Sequence, residues 1–199
     1  LPYINTKKNA LESKITSYLA FPYGTMSISN YVKRNSKSRS EVKVIDLNIP
    51  QIKEVKSEIK KQLRNKKYDI VGFSFMFDPT YKWIYDLSKI VKGINSDIPV
   101  VVGGPAATIS HDAIIEDIKY VDAVCYAEGE KAICDLLDSN NLLEGLEKDP
   151  WCTRLRNTKP TSIYVNDLDE VFDLDYDTVD MAAYSQKESF SPYNLMPEK

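Results

Sequence analysis

Short apolar runs that end abruptly in small or polar residues recur along this chain. The two most informative runs are Tyr68–Met76 and Pro99–Pro105. Such a pattern is typical of a strand that is buried on both faces of a parallel sheet. The first run ends at the hydroxyl of Ser74, and the second ends at Gly103 and Gly104, which have no side chain. Ligands of open α/β sheets bind just beyond such strand ends, so the two runs outline a ligand crevice.

Five strands alternate with helical segments in the predicted fold. The strands are expected at residues 2–5, 42–47, 69–75, 99–103 and 122–126. Between the third and fourth strands, apolar residues from Trp83 to Ile94 recur at helical spacing, and Asp78-Pro79 supplies an N-cap and a first-turn proline. Strict alternation predicts an α/β fold with a doubly wound parallel sheet, in the flavodoxin-like strand order 2-1-3-4-5. The loops after strands one, three, four and five then open on one edge.

The character of the chain changes after about residue 140. We predict one domain over residues 1–140, and a linker, a small hairpin and an acidic tail over residues 141–199. The hairpin strands would be Trp151–Leu155 and Ser162–Val165, and half of the residues from Asp167 to Asp180 are acidic. This composition is typical of a linker or of a segment that docks on a neighbour missing from this chain.

Composition and charge exclude several function classes. A net charge of -3 and a pI near 5.3 argue against a general nucleic-acid-binding function. The basic residues between Lys53 and Lys67 alternate with apolar ones at helical spacing, which indicates the solvated face of a helix. Three cysteines without disulfide or zinc spacing favour a reducing, cytoplasmic compartment. The apolar runs are too short for a membrane span, so we expect neither nucleic acid nor membrane as a partner.

Common α/β ligand sites each require residues that this sequence lacks. The segment Asn5–Asn9 after the first predicted strand does not contain Gly-x-Gly-x-x-Gly, and no Walker phosphate loop exists. A phospho-acceptor site would need a carboxylate where Ser74 ends the third predicted strand. A metal or triad enzyme would need several histidines, and His111 is the only one in the sequence.

Four motifs in order along the chain carry a family resemblance. They are Phe21-Pro22-Tyr23-Gly24, Asp69–Ser74, Val101–Thr108 and Ala127-Glu128-Gly129-Glu130. Together they resemble the N-terminal half of cobalamin-dependent radical S-adenosylmethionine enzymes, including the anaerobic magnesium-protoporphyrin IX monomethyl ester oxidative cyclase-like group. Ser74-Phe75-Met76 and Gly103-Gly104 are also similar to the Ser-x-Leu and Gly-Gly signatures of cobalamin-binding domains, with Met76 in place of leucine.

The resemblance implies a corrin ring over the carboxyl edge of the sheet and a nucleotide tail in a crevice between strands. The residues that it places at the cofactor are Asn5, Thr6, Ser74, Phe75, Met76, Gly103, Gly104, Pro105, Thr108, Glu128, Gly129 and Glu130. A side chain at either strand-end glycine would obstruct the tail, and the serine hydroxyl would donate to it. Taken singly, the serine could instead cap a turn, and the glycines could simply form one.

Two departures from the family pattern limit the expected chemistry. No histidine follows the first predicted strand, and Ala106 stands where many relatives carry one, so we expect no protein histidine as lower cobalt ligand. Cys125, Cys134 and Cys152 do not have the Cys-x-x-x-Cys-x-x-Cys spacing of a radical-enzyme [4Fe–4S] cluster. We therefore predict no catalytic or metal-ligating residue here; the cluster and S-adenosylmethionine would belong to the rest of the parent.

Sequence reasoning thus favours a cobalamin-binding module of a methyltransferase or oxidative cyclase-like parent. Its partners would be cobalamin and a radical S-adenosylmethionine domain of the same parent chain. One alternative is a flavodoxin-like interaction module that has lost cofactor binding. Another is a small-molecule α/β enzyme that uses the same crevice.

Overall fold

The computed structural model describes residues 21–47, 49, 54–77, 80–156, 160–171, 173–174 and 176–184. Within these residues lies a four-stranded sheet of order β1-β2-β3-β4. Its strands are β1 (Val71–Ser74), β2 (Val100–Gly103), β3 (Ala123–Cys125) and β4 (Trp151–Cys152). The first three strands are parallel, and β4 pairs antiparallel with β3. The predicted α/β class with a mainly parallel sheet is therefore confirmed.

Helices precede the first of these strands, connect the strands and follow the last one. They are α1 (Tyr23–Asn35), α2 (Val55–Asn65), α3 (Tyr81–Ile94), α4 (Pro105–Ile109), α5 (His111–Asp117), α6 (Glu130–Leu137), α7 (Leu142–Leu146) and α8 (Met181–Tyr184). Short 3-10 helices cover Leu168–Val171 and Tyr176–Thr178. None of the helices in the described ranges is both long and apolar enough to cross a membrane.

Alternating side chains of β2 build a core on each face of the sheet. Val100 and Val102 pack in one cluster with residues of α3 and α5, such as Ile84 and Ile114. Val101 points to the opposite face, where its cluster includes residues of α6, α7 and β4. Because successive strand residues face opposite sides, the continuous apolar run of β2 requires helices on both faces.

The strand predictions have mixed outcomes. The third, fourth and fifth predicted strands form as β1, β2 and β3, each shorter than predicted. The first, at 2–5, lies outside the described residues and stays a prediction; the order 2-1-3-4-5, whose second strand is the segment 42–47, is not confirmed. The strand predicted at 42–47 is wrong, because no ladder joins this segment to a described strand. Its apolar alternation serves packing instead: Val42 contacts the α1–α6 cluster, whereas Leu47 is buried in the cluster on the α3 face.

The predicted C-terminal hairpin does not form. Trp151 and Cys152 pair with β3, and residues 160–165 carry no strand. The physical reason is burial: Trp151 is 2% exposed and fills the cluster between the sheet and α6. The predicted boundary near residue 140 stays a prediction, although the sheet takes its fourth strand from beyond it.

The described part of residues 160–184, which we call the strap, docks on α1. Val165 is buried in a cluster with Tyr31 and Val32 of α1. The side-chain amide of Asn30 donates to the backbone carbonyl of Asp173 at 2.5 Å, and Arg34 forms an ion pair with the Asp173 carboxylate. The neighbour on which the acidic segment docks is therefore a helix of its own chain.

Candidate functional site

The carboxyl ends of β1 and β2 lie side by side. Ser74 and Gly103 are register partners, and the backbone N–H of Phe75 donates to the Gly103 carbonyl at 2.7 Å. The Ser74 side chain is half-buried, and no hydrogen bond joins its hydroxyl to another residue in the described ranges. This edge therefore presents a free hydroxyl next to a backbone without a side chain.

The two strand-end glycines serve different purposes. A Cβ at Gly103 would meet only the Cβ of Cys125, at 3.6 Å, which is an ordinary contact. Gly104 has a φ of +109°, and a Cβ there would lie 2.7 Å from the carbonyl oxygen of Phe75. The protein's own backbone thus requires glycine at 104, whereas a Cβ at Gly103 would make only an ordinary contact within the described part of the chain.

Side chains after β1 separate into core and surface. Phe75 is 1% exposed and packs edge-on against Tyr81 with ring centroids 6.0 Å apart, so its ring belongs to the core. Met76 and Phe77 follow directly and are 48% and 60% exposed. Ile109, at the end of α4, is 83% exposed. Phe77 and Ile109 are not among the site residues predicted from the sequence, although the apolar run that continues past Ser74 was a usable signal for Phe77.

Thr108 holds the β2 loop to the β3 loop. Its hydroxyl donates to the Gly104 carbonyl at 3.2 Å and accepts the backbone N–H of Ala127 at 3.0 Å. Ala127 has a φ of 73°, an uncommon backbone region for a residue with a side chain. Thr108 is thus placed at the predicted edge, but its hydroxyl is bonded within the protein. Pro105, next to Gly104, is exposed and begins α4.

The turn after β3, residues 127–130, holds α1 and the strap. The Glu128 carboxylate accepts the backbone N–H of Val165 at 3.1 Å. The Glu130 carboxylate accepts the Ser27 hydroxyl at 2.7 Å, and Ser27 lies in α1. A Cβ at Gly129 would lie 2.8 Å from the Cδ1 of Ile28, so α1 packs directly on this turn. These motif residues therefore have partners inside the protein, while Asn5 and Thr6 lie outside the described residues.

His111 uses its ring within the fold. Its Nδ1 lies 2.9 Å from the carbonyl oxygen of Thr108, to which Nδ1–H can donate. Its Nε2 lies 3.3 Å from a carboxylate oxygen of Asp112, and the ring meets Tyr126 edge-on at 5.2 Å. Both ring nitrogens therefore have protein neighbours.

The three cysteines are buried free thiols. Burial raises the pKa of the Cys125 thiol to about 12 and that of the Cys152 thiol to about 11. Burial also raises the pKa of Cys134. Since the thiolate is the nucleophile and metal ligand, these groups behave as small core residues. In the part of the chain that the structure describes, no three His, Cys, Asp or Glu side chains are grouped so as to hold a metal ion.

One family model and two known proteins match parts of this chain. A family model described as B12 binding domain matches residues 17–137, which include β1 to β3 and their loops. An uncharacterized methyltransferase of Pyrococcus horikoshii is 31% identical over 133 residues, which are 64% of this chain and 28% of the relative. An anaerobic magnesium-protoporphyrin IX monomethyl ester cyclase of Rubrivivax gelatinosus is 29% identical over 80 residues, 40% of this chain and 14% of the relative. The chain thus matches only a minor part of the length of these two relatives.

Proposed function

The chain belongs to the B12-binding domain family, and from this premise we propose that it is the cobalamin-binding module of a radical S-adenosylmethionine enzyme. One observation carries the proposal: at the carboxyl edge of the sheet, the Ser74 hydroxyl, which has no hydrogen bond within the described residues, lies beside Gly103, which has no side chain. Ligands of doubly wound sheets bind at such an edge.

The residues at this edge fit the chemistry of cobalamin. The cofactor combines a broad, largely apolar ring face with polar groups on its periphery and tail. The Ser74 hydroxyl can donate to a polar group, and exposed Met76 and Phe77 can contact apolar ring surface. When bound, cobalamin supplies a cobalt centre that can carry a methyl group, while the protein supplies binding and position.

In this proposal each candidate residue at the edge has one role. Ser74 orients the cofactor through one hydrogen bond, and Gly103 leaves room for close approach to the backbone. Gly104 and Thr108 shape the loop that borders this space. His111 is engaged with Thr108 and Asp112, which supports cobalamin binding without a protein histidine below the cobalt. The contribution of Asn5 and Thr6 remains a prediction.

The chemistry of the parent enzyme is also a proposal. One relative is named a methyltransferase and the other a cyclase, which supports a parent of either kind. The three cysteines of this chain do not have cluster spacing, so the [4Fe–4S] cluster and S-adenosylmethionine would be held by a radical domain of the parent. We place the parent in the cytoplasm, since free thiols persist in a reducing compartment.

Reconstitution with hydroxocobalamin tests this function. After incubation and gel filtration, the wild-type chain should retain the corrin absorbance bands in proportion to protein. Gly103→Val should lose them while its thermal melt stays cooperative, because the added side chain fills the space beside Ser74. Gly93→Val is the matched control, since a Cβ at this exposed helical position meets nothing within 4 Å. Absence of retained corrin from the wild-type chain would contradict the proposal.

The main alternative is an interaction module that has lost its cofactor. This alternative is supported by the exposed side chains of Met76, Phe77 and Ile109. Exposed apolar surface suits a protein partner as well as it suits a corrin ring. Retention of hydroxocobalamin separates the two functions, because an interaction module would retain none.

A further inference from the structure

The 127–130 turn contacts the cofactor edge on one side and the strap on the other. On the edge side, the Ala127 N–H donates to the Thr108 hydroxyl, which itself donates to the Gly104 carbonyl. On the strap side, the Glu128 carboxylate accepts the Val165 N–H. A continuous series of hydrogen bonds and covalent bonds therefore runs from the Gly-Gly loop to the strap.

The same turn also fixes the surface on which the strap lies. Glu130 accepts the hydroxyl of Ser27, which is 8% exposed, and Gly129 packs against Ile28. Both partners lie in α1, the helix that buries Val165 of the strap. A change in the turn would thus act on the strap directly through Glu128 and indirectly through α1.

The turn has a backbone conformation that depends on its surroundings. Ala127 has a positive φ of 73°, which a residue with a side chain adopts only when its neighbours impose it. The Thr108 hydroxyl is the group that holds the Ala127 N–H. A ligand that contacts Gly104 and the start of α4 and holds Thr108 in place would therefore stabilise this conformation, and with it the position of the Glu128 carboxylate.

We propose that Thr108 and the 127–130 turn couple cobalamin occupancy at the sheet edge to the docking of the strap on α1. Thr108 and Glu128 are then positioning residues and not cofactor contacts. The inference rests on the proposed function, since cobalamin is the ligand proposed to occupy the edge. Coupling of two sites is reciprocal, so any factor by which cobalamin stabilises strap docking equals the factor by which docking tightens cobalamin binding.

Hydrogen exchange at the Val165 amide measures strap docking directly, because Glu128 accepts this N–H. Saturating hydroxocobalamin should slow exchange of this amide in the wild-type chain by about 5-fold or more, the size of a typical coupling. Thr108→Val, also measured at saturation, should abolish the slowing, because valine has neither the donor nor the acceptor. Thr108→Ser should restore it.

A threonine away from the edge provides the control. Thr153 directly follows the antiparallel strand β4 and is 8% exposed. Its hydroxyl donates to the carboxylate of Glu147, which precedes β4. Thr153→Val removes a comparable buried hydroxyl, and the cobalamin-dependent slowing at Val165 should persist in it. In a second measurement, Glu128→Ala should weaken hydroxocobalamin binding by the same factor by which cobalamin slows Val165 exchange in the wild type.

The outcomes distinguish this inference from the proposed function. A wild-type chain that binds hydroxocobalamin without any change in Val165 exchange overturns the coupling and leaves the proposed function intact. Equal slowing in Thr108→Val and wild type also overturns it. A wild-type chain that does not bind hydroxocobalamin contradicts both proposals at once.

Discussion

The two halves of the carboxyl edge use their polar groups in opposite ways. After β1 and β2, the Ser74 hydroxyl has no hydrogen bond within the described part of the chain, and Met76 and Phe77 are exposed. After β3, Glu128 and Glu130 are both hydrogen-bonded inside the protein. The hydroxyl of Ser74 is therefore available to a ligand, whereas the turn after β3 holds α1 and the strap in place.

It follows that a motif at a strand end predicts where a polar group lies, but it does not predict the group with which it forms a hydrogen bond. Acidic residues after β3 match the family motif, yet their carboxylates accept hydrogen bonds from Ser27 and Val165. A buried or half-buried carboxylate needs such partners whether or not a cofactor binds nearby. Family resemblance alone does not separate these two roles.

The largest expected effect distinguishes the two strand-end glycines. Gly104→Val should destabilise the fold by about 2–5 kcal/mol, because it combines a strained φ with a Cβ too close to the Phe75 carbonyl. Gly103→Ala should change the unfolding free energy by less than about 1 kcal/mol, since its Cβ makes an ordinary contact. Urea denaturation measures both. Equal stability of the two variants would show that the Gly104 conformation is not required by the fold.

A smaller effect is expected when the anchor of α1 is removed. Glu130→Ala leaves the Ser27 hydroxyl buried without a partner, which should cost about 1–3 kcal/mol of unfolding free energy. Glu116→Ala is the control, since Glu116 is exposed on α5. Thermal or urea unfolding compares the two variants. If Glu130→Ala were as stable as the control, the 127–130 turn would not hold α1.

The far end of the strap should be sensitive to alkaline pH. Tyr184 stacks on Phe21 with ring centroids 4.5 Å apart, and its phenol donates to Asp46. Burial raises the pKa of Tyr184, and the hydrogen bond to Asp46 raises it further. Because the folded pKa exceeds the unfolded value of about 10, the stabilisation is complete below that pH and is lost as the pH rises above it.

Tyr184→Phe isolates this contribution. The variant should be less stable than the wild type by about 0.5–1.5 kcal/mol at neutral pH, and this difference should shrink above pH of about 10. Urea denaturation of both proteins across this pH range gives the difference directly. A difference that stays constant with pH would mean that the Tyr184 phenol does not contribute through its protonated form.

The smallest expected effect is none, and it concerns His111 at the start of α5. His111→Ala should leave the absorbance spectrum of bound hydroxocobalamin unchanged, because both nitrogens of this ring already have protein neighbours. The electron paramagnetic resonance spectrum of the bound cob(II)alamin state checks the same point. A nitrogen hyperfine splitting that disappears in His111→Ala would identify His111 as a cobalt ligand.

Much of the fold could be predicted because β2 and β3 are buried on both faces. Such strands must be continuously apolar, so Val100–Val102 predicts a central strand without knowledge of its neighbours. The segment 42–47 could not be predicted in this way. Its apolar alternation is the same whether the backbone forms a ladder or only packs, and the sequence does not record which of the two occurs.

For the candidate site, the sequence predicted which strand ends form the edge, but it did not predict the contacts that each residue makes there. Ser74 and Gly103 come together because parallel strands in register end at the same edge. The role of Gly104 depends on a contact with the Phe75 backbone, and that of Glu128 on the strap, which is distant in sequence. Contacts of this kind depend on how separate segments pack, so local patterns do not predict them.

The free hydroxyl of Ser74 gives the most direct test of the account. Hydroxocobalamin should be titrated into the wild-type chain and Ser74→Ala, with binding followed by isothermal calorimetry and folding by thermal melting. We expect Ser74→Ala to bind about 3- to 10-fold more weakly, the equivalent of one hydrogen bond, with an unchanged melting temperature. Equal affinity of the two proteins would contradict the assignment of this edge as the cobalamin site.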